Sequence, residues 1–148
     1  MYHPPNLDER LAQFEKACER AQVKVTHQRL EVFREVVASV DHPNAETILE
    51  RIKVRLPTVS LDTVYRTLWL LTELGLIGTL EPRQKTVRFD GNLGPHDHFI
   101  CIRCGKVFDV DKVSSSLVEQ NLAFQAYGSI ESLHLEARGV CHDCKKTL

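Results

Sequence analysis

Long apolar runs are missing from this chain of 148 residues, and none of its hydrophobic stretches approaches the roughly 20 residues that a bilayer-spanning helix needs. The N-terminus, Met-Tyr-His-Pro-Pro, lacks the charged and apolar regions of a secretory leader, so a cytoplasmic location and no membrane partner are expected. Excess charge of either sign is absent too: 19 Lys and Arg against 20 Asp and Glu give a formal net charge of −1. Neither part of the chain compensates, since residues 1–92 hold 13 basic and 13 acidic side chains and residues 93–148 hold 6 and 7. Any nucleic-acid-binding face must therefore be local. Basic clusters stand at Arg51/Lys53/Arg55 and Arg83/Lys85/Arg88, although solvated helix and hairpin surfaces carry such clusters routinely. Cysteine is scarce, with five in the chain, which argues against a disulfide-dense secreted scaffold. What remains, 43% hydrophobic and 26% charged residues, is an ordinary globular balance for one domain or two small ones.

Four of the five cysteines form two Cys-x-x-Cys pairs, Cys101/Cys104 and Cys141/Cys144. Two intervening residues let both sulfurs of one tight turn face the same ion, and two such turns complete the tetrahedron that zinc prefers. The pairs are 36 residues apart, more than the roughly 15–20 of a compact zinc ribbon, so a folded segment must lie inside the loop that the metal closes. Four thiolates leave no open coordination position, which makes this expected Zn²⁺ structural and sends the search for function elsewhere. Cys18, on a predicted helix, reads as a small semi-buried hydrophobe.

Hydrophobic spacing organises the first part of the chain into helices. Leu7, Leu11, Phe14 and Cys18 line one face of a helix over residues 7–21. Thr26 caps a second helix with Leu30, Phe33, Val36, Val37 and Val40 inward, stopped by Asp41-His42-Pro43. Asn44 opens a third, with Ala45, Ile48, Leu49, Ile52 and Val54 inward. Ser60 caps a fourth, carrying Leu61, Val64, Leu68, Leu71 and Leu74 up to Gly75. Helices joined by short connections suggest a helix-turn-helix. Residues 76–80 and 86–89 then flank Glu81-Pro82-Arg83-Gln84-Lys85 as a β-hairpin with a basic tip, which makes the domain a winged helix. The break in composition at Gly91-Asn92-Leu93-Gly94-Pro95 predicts a hinge, dividing the chain into domains over 1–90 and 96–148 with the hinge at 91–95. Beyond it, strands are expected over 96–102, 107–110 and 130–137, and a helix over 113–126. The predicted class is α+β.

A second constellation lies in His96-Asp97-His98, where the period of a strand puts both imidazoles on one face. Alone, a His-x-His is as readily two polar residues on a solvent-facing strand. Candidate partners, however, are close in the predicted fold: Asp90 at the end of the wing, Asp109 at the end of the next strand, and His42 before a proline at a helix junction. Three imidazoles and two carboxylates suit Fe²⁺, Mn²⁺ or Zn²⁺ rather than Ca²⁺ or Mg²⁺, and their origin on both sides of the hinge would make the metal a clamp between domains. Such an open divalent site could also activate water, as in a metal-dependent hydrolase. That alternative offers no general base or small organic substrate and leaves the helix-turn-helix without a use.

In order and spacing, Thr26-His27-Gln28-Arg29, Thr63-Val64-Tyr65-Arg66-Thr67-Leu68, Arg88-Phe89-Asp90, His96-Asp97-His98-Phe99-Ile100-Cys101-Ile102-Arg103-Cys104-Gly105-Lys106 and Gly139-Val140-Cys141-His142-Asp143-Cys144 resemble the ferric uptake regulator family of metal-dependent transcriptional repressors. The resemblance covers nearly all of the chain. It implies an N-terminal winged helix, a C-terminal α/β dimerisation domain stapled by Cys₄ zinc, and a regulatory Fe²⁺ or Mn²⁺ that shapes a homodimer for a palindromic double-stranded DNA operator. It further implies that Thr63, Tyr65 and Arg66 face DNA, and that the regulatory ligands are His42, Asp90, His96, His98 and Asp109. Asp109, where the iron-sensing branch usually carries Glu, resembles the peroxide-sensing branch, in which His42 and His96 are the expected sites of oxidation. Arg66 leans the other way, towards the iron-responsive regulators, which stay the alternative. Pro95 and Leu133 replace two histidines of the additional metal site found in many iron regulators, so that site is expected to be absent. His134 is then an opposite-facing strand residue, His142 an exposed spacer, and His27 stands where the family usually has proline.

Overall fold

The structure is a computed structural model that describes residues 6–80, 86–113, 120–131 and 133–147. The chain divides into two compact units, the first ending at Gly94 and the second beginning at Pro95. Four helices build the first unit: α1 (Leu7–Arg20), α2 (His27–Ala38), α3 (Ala45–Ile52) and α4 (Leu61–Glu73). Each starts by the same device. Asn6, Thr26, Asn44 and Ser60 sit in extended conformation and accept from the backbone N–H three residues on, at 2.8, 3.2, 2.8 and 3.2 Å, which satisfies one of the donors that a helix start leaves open. His27 is the first helical residue of α2, a place where no N–H is needed by the helix and proline is tolerated. Gly75 ends α4 in left-handed conformation, φ +69°, while the Leu76 N–H donates to the Leu71 carbonyl at 2.9 Å.

The core of this unit follows the predicted faces, with Phe14, Cys18, Phe33, Val36, Ile48, Ile52, Val64, Leu68 and Leu71 all closed to solvent, and adds Val32, which the sequence reading did not place inside. Each such side chain contributes roughly 1.5–3 kcal/mol of transfer free energy, and the stacked Phe14 and Phe33 rings, 5.0 Å apart, tie α1 to α2. Leu7, the first residue of α1, is 40% exposed despite its place on the apolar face, and two more residues expected inside are outside: Val40 is 89% exposed and Val54 85% exposed. Both lie past the last residues of α2 and α3, so the helical spacing that placed them inward no longer applies. The hairpin is short, β1 (Gly78–Leu80) pairing antiparallel with β2 (Arg88–Asp90), and Phe89 plugs it into the core. Together the helices and hairpin make a winged helix-turn-helix. The expected basic tip, residues 81–85, lies outside the described residues.

The second unit is a three-stranded sheet in the order β4-β3-β5, with β3 (His96–Cys101) central, β4 (Val107–Asp111) antiparallel to it and β5 (Glu136–Gly139) parallel. Two boundaries differ from the sequence reading. The third strand starts at Glu136 rather than at residue 130, which leaves His134 outside any strand. Of the helix expected over 113–126, α5 (Leu122–Gln125) is helical and residues 114–119 lie outside the described residues. A last short helix, α6 (His142–Lys146), follows Cys141.

Candidate metal centres and nucleic-acid interface

The parallel pairing of β3 with β5 is what brings the four cysteines together. In its register Cys101 stands beside Gly139, so both strands deliver their Cys-x-x-Cys turns to the same end of the sheet. The first turn closes on Gly105, whose φ of +73° suits glycine and whose N–H donates to the Cys101 carbonyl at 2.9 Å. At Gly139 a Cβ would meet the Phe99 ring at 3.1 Å, so any other residue there would need that ring to give by a few tenths of an ångström. The four sulfurs lie within 4.8 Å of one another, and none is in a disulfide. Cys104 Sγ and Cys141 Sγ are 3.9 Å apart, against an edge of about 3.8 Å for a tetrahedron with Zn–S bonds of about 2.3 Å.

The ionisation of the cluster points the same way. Backbone N–H groups of Cys104 and Cys141 draw the Cys101 thiol down to about 6, while hydrogen bonding to Cys141 and burial push Cys144 up to about 12. Four adjacent thiolates repel, and a divalent cation is the group that relieves them. The residues fit a structural Zn²⁺. His142 is exposed at the first position of α6, consistent with a spacer.

The other ligand candidates fall into one group in each unit. In the first, His42 is 2% exposed and holds φ +51°, an uncommon conformation for a side-chain-bearing residue. Its Nε2 lies 3.4 Å from Asp90 Oδ2. Two further bonds fix the pair: the Phe89 N–H donates to the Pro43 carbonyl at 3.0 Å, and the Asn92 N–H to Asp90 Oδ1 at 2.8 Å. In the second unit, register sets His98 directly opposite Asp109, with Nε2 3.3 Å from Oδ1. Strand alternation adds His96, whose Nε2 is 3.0 Å from that of His98 and 3.6 Å from Asp109 Oδ1. Two imidazole nitrogens and a carboxylate oxygen thus converge from neighbouring strands, a donor set that suits a borderline divalent ion.

Between the two histidines, Asp97 points to the other side of the sheet and has a role that the sequence reading missed. It is 3% exposed and accepts from the Leu135 N–H at 3.0 Å, the Val113 N–H at 2.9 Å and Lys112 Nζ at 3.0 Å. Burial opposes its charge, yet these donors hold the carboxyl down at about 2. Asp97 therefore pins the approach to β5, and hence the second cysteine pair, to the strand that carries His96 and His98. Asp97→Ala is expected to destabilise the second unit by about 3 kcal/mol, because it strands buried donors. A urea midpoint equal to that of the wild type would refute this.

The basic cluster at residues 51–55 is largely occupied within the first unit. Arg51 forks onto Asp41 at 2.5 and 3.1 Å, and Arg55 binds Glu31 at 2.6 Å and Glu35 at 3.3 Å. On α4 the picture differs. Arg66 is 81% exposed and held by Asp62 of its own helix at 3.0 Å, a weak and easily exchanged pair. Tyr65 donates to Glu46 on α3 at 3.2 Å, and Thr63, in the first turn, meets the capping Ser60 hydroxyl at 2.9 Å. All three sit at the start of the last helix of the helix-turn-helix, the part that enters a groove in that motif.

Comparison with known proteins gives the same architecture over nearly the whole chain. The ferric uptake regulator of Helicobacter pylori superposes with a TM-score of 0.83 at 23% identity, covering 98% of this chain and 97% of that one. A zinc uptake regulator solved in complex with zinc and DNA matches with a TM-score of 0.67 at 27% identity, covering 97% of each. The peroxide operon regulator of Bacillus subtilis (strain 168) is 34% identical over 124 residues, 84% of this chain and 86% of its own. Among the described residues no helix is long and apolar enough to cross a membrane. The model of the "Ferric uptake regulator family" matches residues 20–138, from the end of α1 into β5, and the chain belongs to that family.

Proposed function

We propose that this chain is a metal-dependent transcriptional repressor that senses peroxide, binding a palindromic DNA operator as a homodimer. The observation that carries the reading is the pair of preformed half-sites, His42 with Asp90 in one unit and His96 with His98 and Asp109 in the other. Five N and O donors split in this way hold one Fe²⁺ or Mn²⁺ only when the units come together, so ligand binding and DNA-ready shape are one event. The hinge lies within the segment 91–95, the wing and α4 are the DNA-facing elements, and the zinc-stapled unit dimerises. Thr63, Tyr65 and Arg66 give up their intramolecular partners to contact the operator, and Lys and Arg side chains supply salt-sensitive phosphate contacts. The regulator solved with zinc and DNA supports the DNA-binding part of this reading.

The peroxide branch is favoured by the Bacillus subtilis relative and by Asp109, a carboxylate one methylene shorter than Glu. A bound Fe²⁺ supplies the one-electron chemistry that peroxide needs. The chain supplies two imidazoles placed to be oxidised, His42 and His96, and loss of either dissolves the half-site to which it belongs.

Mass spectrometry tests this. Low peroxide on the Fe²⁺-loaded protein is expected to add about 16 Da, one oxygen atom, to a peptide carrying His42 or His96 and to release the operator, while the Mn²⁺-loaded protein resists (the shared N/O donor set admits both metals). Asp109→Glu is expected to keep metal-dependent DNA binding and blunt the oxidation. Operator release with oxidised cysteines and unmodified histidines would instead favour the iron-responsive alternative.

A further inference from the structure

Arg10 is a charged residue in the wrong place for a surface helix. It lies on α1 facing inward, 2% exposed, with its guanidinium carbon 5.5 Å from the centroid of the Phe33 ring. A buried guanidinium is expensive, and an aliphatic residue would fill a helix interface at lower cost. Its hydrogen bonds show what it holds. Nη2 donates to the Leu76 carbonyl at 2.6 Å, and Nη1 donates to the Gly91 carbonyl. Leu76 comes shortly before β1 and Gly91 directly after β2, so one side chain clamps both ends of the wing hairpin at its base.

The hairpin needs such a clamp. Its ladder has three residue pairs, Gly78 with Asp90, Thr79 with Phe89 and Leu80 with Arg88, which is short for a ribbon to hold itself. Gly91 is also packed closely against α2, because a Cβ there would lie 2.8 Å from the Val36 carbonyl oxygen and 2.8 Å from Val37 Cα. The backbone following Asp90 is thus gripped between α2 and Arg10. Asp90 itself is the residue that faces His42.

We propose that Arg10 is a positioning residue for the regulatory metal: it fixes the Asp90 carboxylate by clamping Gly91, and it makes the wing base and the Asp90–His42 half-site one rigid piece. The inference rests on the reading of Asp90 and His42 as metal ligands. Lys at this position keeps the charge but cannot present the planar fork that reaches two carbonyls at once, and Gln keeps hydrogen bonding without charge.

The test uses the full-length protein with its zinc retained, titrated anaerobically with Mn²⁺ by calorimetry well below the melting temperature, in the wild type, Arg10→Lys, Arg10→Gln and Asp90→Ala. The expected result is a rise in the Mn²⁺ Kd of at least about tenfold in both Arg10 variants, the scale seen for residues that support metal ligands. Zinc should stay at one ion per chain, and the helical circular dichroism should be unchanged at the titration temperature. A lower Tm with an unchanged Mn²⁺ Kd in the Arg10 variants, while Asp90→Ala weakens binding, would make Arg10 merely structural and overturn the proposal. An unchanged Kd in Asp90→Ala would overturn the ligand reading itself, and the positioning role with it.

Discussion

Replacing Cys101 with Ser is expected to unfold the second unit while the first survives. Cys101 is fully buried, its sulfur accepts the Cys141 N–H at 3.3 Å, and the backbone N–H groups around it pull its thiol down to about 6. Serine offers a hard oxygen that does not ionise at neutral pH, so the tetrahedron loses one of its four thiolate corners. Metal binding to such sites is worth roughly 10 kcal/mol or more in small zinc domains, which exceeds what a three-stranded sheet can supply by itself. The first unit does not share this dependence, since its core runs from Phe14 to Phe89 without a residue from beyond Gly94. The variant should therefore lose tightly held zinc and dimerisation yet keep most of its helical circular dichroism. Zinc at one ion per chain in a stable dimer of Cys101→Ser would remove the structural assignment.

Much of this was legible in the sequence, for reasons that differ by element. The helices of the first unit announce their starts through Thr26, Asn44 and Ser60, and capping is a local property that a sequence displays directly. The cysteine spacing and the period-two placement of His96 and His98 are equally local. What the sequence reading missed is non-local. Val40 and Val54 continue an apolar rhythm after their helices have stopped, and periodicity alone carries no stop signal there. The third strand begins at Glu136 because its partner is His98, a pairing across 38 residues, whereas Leu133 and Leu135 look just as strand-like. Asp97 and Arg10 read as ordinary surface charges in a sequence. Their burial is visible only once the Leu135 N–H and the Gly91 carbonyl are seen to converge on them.

Removing one regulatory ligand should have the opposite signature to removing a cysteine. His98→Ala is expected to leave folding and zinc content intact, because His98 is partly exposed and the sheet is held by Phe99, Ile100, Val107 and the Asp97 pin on the other side. Asp90→Ala should behave alike, with Phe89 still seated in its core. Both variants are nevertheless expected to lose metal-dependent operator binding. Turning a population from 1:99 to 99:1 in favour of the DNA-ready arrangement takes about 5.5 kcal/mol of differential affinity, and that difference exists only if His42 and Asp90 act together with His96, His98 and Asp109. Loss of a supporting residue around a metal costs roughly 10–100-fold in affinity, so loss of a direct ligand should raise the Mn²⁺ concentration needed for half-maximal operator binding by at least about 100-fold. Fluorescence anisotropy of a labelled operator, titrated with Mn²⁺ at fixed protein and fixed salt, reads this directly, fixed salt being essential because phosphate contacts dominate affinity. Normal metal-dependent binding by either variant would show that the two half-sites do not share an ion, and the switch would have to be sought within a single unit.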